Sequence, residues 1–275
     1  MDILLLVFAL FCNTSLALLD KASGNLIKKD EVLSFSFYKT LLCAFFAVLL
    51  LPFGEHHTSA MGVLVGVGAG LFHALSVVLI MHSLRKNPAV YVNLFMASGI
   101  LLPTVCDWIF VYGKVNIIEF LILVCMIASL SLVLNLKKGK SNIGLLCLMF
   151  LCYGMLMVMQ GVYPKVCDGS RVLFSVIMYG SSSLMLGFIC FLGKKRAYIP
   201  QKLKMFGAVA AVLNLAINIL LTTLSAALPS SAVFPAVHGL KLVAVTLLSP
   251  FLWSERLNAK QIVGAFLTII LVCII

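Results

Sequence analysis

Ten stretches of predominantly apolar residues, joined by short connections, constrain this chain more than any other feature. A helix needs about 20 such residues to cross a hydrocarbon core roughly 30 Å thick. That ruler predicts spans at 3–19, 32–53, 60–82, 88–112, 116–136, 142–163, 172–193, 203–226, 229–252 and 259–275. Pro88 and Pro229 open spans, Pro52 and Pro164 close them, and Gly113, Gly139 and Gly193 fall in turns. In lipid no water pairs with the backbone, so each span must satisfy its own N–H and C=O groups as a helix. Of the 275 residues, 63% are hydrophobic and 11% charged, against about 45–50% and about 25% in a soluble domain. The expected fold is an all-α membrane protein of ten transmembrane helices in a single membrane domain, with no room for a soluble one. The first run lacks a positive leader segment, so it reads as a retained helix and not a signal peptide.

A net charge of +11 raises the question of nucleic acid, and the placement of the charges answers it. Of the 20 Lys and Arg residues, only Lys39 and Lys241 lie within spans; the rest occupy connections, without a basic face or interleaved aromatics for stacking bases. Three of those connection charges, Lys114, Lys165 and Arg171, belong to even-numbered connections, and fifteen belong to odd-numbered ones. Positive charge collects on the cytoplasmic side, so both termini are expected outside. The nine cysteines form no C-x-x-C pair and all but Cys167 lie in apolar runs, where Cys serves as a small apolar residue. His56-His57 lacks further ligands, and neither metal nor cofactor is expected.

Five spans per half is odd, so two similar halves, 1–139 and 140–275, would lie in opposite orientations. Ser34 and Tyr38 match Ser175 and Tyr179 at a separation of 141, and His73 matches Asn214 at the same separation. Val115–Glu119 matches Leu257–Gln261 one residue out of step. Two inverted five-helix repeats are the architecture expected, and secondary transporters built this way bind substrate near the midplane between the halves.

Polar side chains inside spans are costly and each needs a reason, about 2.5–3.5 kcal/mol for a charge at mid-span. Lys241 lies near the middle of the ninth span, with His238 one turn away on much the same side. It either lines a cavity or is paired internally, including with carbonyls freed by Pro235. Lys39 either faces the cavity or extends its long stem to the headgroups. Asp107 reads as the only carboxylate clearly within a span, sharing a helical face with Asn93 and Thr104; it fits proton coupling and equally fits solvation near the outer surface. Asn214, Asn218 and Ser225 align on the eighth span, Ser175, Tyr179 and Ser182 on the seventh, and Tyr153 and Gln160 on the sixth. These stripes either line a cavity or hydrogen-bond between helices. Gly62, Gly66 and Gly70 form overlapping G-x-x-x-G steps that predict close packing of the third span. The candidate substrate-binding set is Lys241, His238, Asn93, Asn214, Asn218, His73, Lys39 and Tyr179.

The stretch LWSERLNAKQIVGAFLTIILV, 252–272, resembles the L-G-E-R-L…Q…G…L signature of the EamA-like branch of the drug/metabolite transporter superfamily, through Glu255, Arg256, Leu257, Gln261 and Gly264. Ser254 stands where that family has Gly, and Lys39 stands where it commonly has Arg. In the first half, Gly113-Lys114 replaces the expected Gly-Glu. The resemblance implies secondary transport of a small polar or anionic metabolite by alternating access, in a bacterial inner (plasma) membrane. The partners expected are a small-molecule substrate, the lipid bilayer and, as an option, a second copy forming a homodimer; nucleic acid is not among them. Two other readings stay open: a multidrug or toxic-compound exporter, and a structural or regulatory membrane protein without transport. Small multidrug exporters use a Glu in the first span, where this chain offers Asn13 and Thr14. No Ser-His-Asp arrangement, H-E-x-x-H or phosphate loop points to an enzyme.

Overall fold

A computed structural model describes residues 2–55, 57–107, 143–167, 169–193, 199–228 and 230–254, together with 125, 259, 262–264, 266, 267 and 270. Its helices are α1 (Asp2–Leu26), α2 (Val32–Leu50, continued by a 3-10 turn at Leu51–Phe53), α3 (Ala60–Lys86), α4 (Ala89–Ser98), α5 (Leu101–Asp107), α6 (Ile143–Val166), α7 (Arg171–Leu192), α8 (Gln201–Ala227) and α9 (Ser230–Trp253). Eight helical segments, counting α4 with α5 as one, are long and apolar enough to cross a membrane. The outward side chains agree, since Phe53 and Phe251 are 87% exposed and Leu184 is 78% exposed. Water would not tolerate an apolar surface of that extent, whereas lipid does. The architecture is that of an all-α, multi-pass membrane protein. The fifth predicted span, apart from Cys125, and most of the tenth lie outside the described residues, as does the structure around Glu255, Arg256, Leu257 and Gln261.

Local chemistry explains the ends of these helices. Ser59 and Ser170 cap α3 and α7 by accepting hydrogen bonds from the Gly62 and Leu173 amides. At the other end of α3, the buried Lys21 ammonium donates to the Leu84 and Asn87 carbonyls at 3.1 and 2.9 Å, placing a cation where the helix dipole is negative. Several intramembrane hydroxyls satisfy themselves on their own helix: Ser98, Thr104, Ser183 and Thr222 each donate to the carbonyl four residues earlier.

Two expectations change. The first helix does not stop at 19 but runs to Leu26, so Asp20 and Lys21 are helical and buried instead of loop charges. The fourth span is not one helix but two, parted at Gly99–Ile100. Pro103 has no N–H for the Gly99 carbonyl and its ring crowds that group; the Leu102 amide bonds it instead, at 3.1 Å. Gly154 of α6 fits against this break, so close that a β-carbon there would lie 2.8 Å from the Gly99 carbonyl oxygen.

Helices of the two halves interleave. The third-span helix α3 packs on α6 and α7, while α8 packs on α1 and α2. A β-carbon on Gly66 would meet Ile177 Cγ2 at 2.8 Å, and one on Gly70 would collide with Ser181 and the Met178 carbonyl; these glycines seat α3 directly on α7. Gly207 does the same for α8 against Phe35 and Tyr38 of α2. Helices α3 and α8 have the same length of 27 residues. Their bounds fall at the separation of 141 that relates His73 to Asn214. Both are followed by an extended residue, Asn87 with φ/ψ of −122/156° and Leu228 with −124/154°, and then by proline in the sequence.

Candidate functional site

A central cavity, about 60 Å³ as measured by the centres of water-sized molecules it can hold, lies among α1, α2, α3, α4, α6, α7, α8 and α9. Seven of the sequence-predicted residues line it together: Lys39, His73, Asn93, Tyr179, Asn214, Asn218 and Lys241. His238 stands one layer back. Its Nδ1 is 3.2 Å from Asn13 Nδ2, and its ring meets the Tyr153 ring edge-on at 5.8 Å; both neighbours line the cavity. For Asp107, the backbone closes α5, and its side chain lies outside the described residues.

One side-chain contact joins α3 to α8 in the cavity wall. His73 of α3 and Asn214 of α8 touch, Nε2 to Nδ2 at 3.2 Å, and His73 Nδ1 lies 3.0 Å from Ser182 Oγ. With the Asn214 amide donating to Nε2, the ring proton sits on Nδ1 and is given to Ser182. The Tyr179 hydroxyl donates to the Asn214 carbonyl at 3.0 Å, and its ring stands edge-on to His73. One turn along α8, the Gln160 amide donates to Asn218 Oδ1 at 2.7 Å, and the Asn218 amide donates to Ser175 Oγ at 2.8 Å. The polar stripes of the sixth, seventh and eighth spans therefore serve both uses the sequence leaves open, facing the cavity and tying helices to one another; Ser225 does neither, its buried hydroxyl having no partner among the described residues. The Asn93 amide turns back to the Ala89 carbonyl of its own helix at 2.9 Å.

Charge in the cavity is distributed unevenly. The Lys39 ammonium donates to both oxygens of Asp20, at 2.6 and 2.9 Å, in a pair that is almost fully buried. Lys39 thus neither snorkels nor stands free. Asp20 overturns the reading of Asp107 as the only carboxylate within a span. The predicted span stops at 19, yet Asn13, Ala17, Asp20 and Gly24 continue one helical face of α1. The first three line the cavity, and Gly24 packs on Leu84. Lys241 is 1% exposed and faces the cavity, with its ammonium 5.9 Å from the centre of the Tyr153 ring. Among the described residues it has no hydrogen-bonding or ion-pairing partner. A face-on aromatic ring attracts a cation but does not replace a counter-ion.

Away from the cavity, the connections preceding α3 and α7 meet. The Ser170 amide donates to the His57 carbonyl at 2.9 Å, Thr58 and Gly169 form an isolated antiparallel bridge, and the buried Tyr163 hydroxyl donates to the Ser170 carbonyl at 3.0 Å. These contacts tie the two connections together at one end of the bundle. The cavity extends the other way, towards Asp20 and Leu84.

No family model and no curated protein matches the chain. Among the solved structures that do match is one described only as "Crystal structure of protein", with a TM-score of 0.64 at 13% identity, covering 99% of this chain and 95% of that one. At that identity the likeness extends to the fold and no further: over nearly its whole length, the chain folds like this solved structure.

Proposed function

We propose that the protein is a secondary transporter that carries a small polar or anionic metabolite across the membrane by alternating access. The observation that carries this reading is Lys241, a buried amine that faces the cavity and makes no hydrogen bond or ion pair among the described residues. Such a group is costly in lipid unless function requires it. A discontinuous fourth span beside the cavity adds support, because broken helices in membranes occur where backbone lines a cavity or packs against protein. The matching bounds of α3 and α8, with His73 and Asn214 in contact at that same separation, support two inverted repeats, each completed by the fifth and tenth spans. Residues related by a two-fold axis touch only on the axis, and substrate sites of inverted-repeat transporters lie there. With Lys21 counted in α1, fourteen Lys and Arg residues remain in odd connections against three in even ones, which argues for odd connections inside and the Thr58–Gly169 bridge towards the outside. The resemblance of 252–272 to the EamA-like signature points the same way.

A purely structural protein would spend its buried polar groups on each other, as Asp20 and Lys39 do, and would not leave Lys241 unmatched. Multidrug export of cations fits poorly for a related reason: the one carboxylate lining the cavity among the described residues is occupied by Lys39. Solute flux into proteoliposomes tests the proposal. Protein-dependent, saturable uptake or counterflow of a small anion is the expected result; a folded, reconstituted protein that moves no solute from a broad metabolite panel contradicts it.

A further inference from the structure

Most polar groups facing the cavity are already engaged. Lys39 is held by Asp20, both ring nitrogens of His73 by Ser182 and Asn214, both ends of the Asn218 amide by Gln160 and Ser175, and the Tyr179 hydroxyl by a backbone carbonyl. Among the described lining residues this leaves one cationic group, Lys241, over the face of Tyr153. Leu16, Val77, Ile80, Met96, Leu156 and Ile217 make much of the remaining wall. A polyhydroxylated solute could donate to the amide oxygens of Asn13, Asn93, Gln160 and Asn214, but the aliphatic wall would leave its remaining hydroxyls unpaired, which is penalised in a buried site. A dianion would bring two charges to one amine, and a cation would meet like charge with its only candidate counter-ion occupied.

Resting on the transport reading above, we infer that the cavity takes an organic monoanion: one carboxylate or equivalent group against Lys241 and Tyr153, attached to a compact apolar body lying on the aliphatic wall. The apolar body supplies area-dependent affinity, and the single charge supplies orientation. Charge-assisted hydrogen bonds are among the strongest available to a ligand, so discrimination should follow charge count before shape.

The test needs no mutation at first. Purified protein is titrated with benzoate and hexanoate (monoanions), phthalate and adipate (dianions), benzylammonium (cation), benzyl alcohol (neutral) and glucose (polyol), with thermal stabilisation read as binding. A monoanion is expected to bind roughly ten- to a hundredfold tighter than its dianionic, cationic and neutral counterparts. Lys241→Met is expected to lose that margin while retaining the melting temperature of the unliganded protein, and Lys241→Arg to recover part of it. Failure of both monoanions to bind, equal binding of a dianion, cation or polyol, or unchanged benzoate binding in Lys241→Met overturns the inference. Counterflow of labelled benzoate in proteoliposomes separates the two levels. Binding without flux keeps the monoanion site and removes transport; flux of glucose or benzylammonium keeps transport and removes the monoanion.

Discussion

The two lysines in the cavity are handled in opposite ways, one on each half of the chain. Lys39, from the first half, is neutralised by Asp20 one helix away; Lys241, from the second, faces the same space over the Tyr153 ring and makes no ion pair among the described residues. The positions that a separation of 141 assigns to their counterparts are Gly180 and Ile100, neither of which carries charge. The matching bounds of α3 and α8 therefore do not extend to the placement of these two charges. A paired lysine serves the fold, because its removal strands a buried carboxylate. An unmatched lysine does nothing for the fold, so its presence needs a different explanation.

The largest effect expected is at Lys39. Lys39→Met leaves Asp20 buried without its partner, and breaking such a pair costs about 3–5 kcal/mol. Thermal unfolding in detergent should show that loss, and adding Asp20→Asn in the same chain should recover most of it. If the single substitution melts like the wild type, the pair is not what holds α1 to α2 and the comparison fails.

A second contrast uses glycines. A β-carbon on Gly70 collides with the Met178 carbonyl and Ser181, whereas one on Gly180 meets nothing within 4 Å. Gly70→Ala should therefore lower stability by about 1–3 kcal/mol, as overpacking does. Gly180→Ala should leave stability unchanged or raise it by up to about 1 kcal/mol through reduced backbone freedom. Equal melting shifts for the two would mean that α3 and α7 are not seated through Gly70.

The smallest effect lies just beyond α9. Ser254 has a φ of 52°, in the left-handed region where a side chain is penalised by roughly 1–2 kcal/mol. In the first half Gly113 occupies the matching position of the sequence, and the EamA-like signature has Gly there too. Ser254→Gly should raise the unfolding temperature by the equivalent of about 1 kcal/mol; a drop would argue against this helix stop.

How much of this was legible beforehand depended on contrast with the surroundings. Lys241, Asn93, Asn214 and Asn218 stood out as polar residues within apolar runs, and seven of the eight candidates line one cavity. Asp20 has less contrast, because it adjoins Lys21 at the end of an apolar run and reads as part of a connection; the helical face it shares with Asn13, Ala17 and Gly24 is the signal that α1 goes on. The break at Gly99–Ile100 was equally hidden, since Pro103 within an apolar run changes backbone geometry without changing hydropathy. His238 was placed by its spacing from Lys241, but one turn of helix was enough to turn it onto Asn13 and behind Tyr153. Spacing along a helix defines a face; what that face meets depends on neighbours that no single span records.

The claim on which the account depends is that Lys241 is kept for a substrate and not for the fold. The most direct test compares Lys241→Met with wild type in the same proteoliposomes, measuring benzoate counterflow alongside the melting temperature of each protein. The account predicts that the substitution abolishes counterflow while the melting temperature stays the same or rises, since a buried, unmatched amine is removed. Undiminished counterflow, or a collapse in stability like that expected of Lys39→Met, would contradict it.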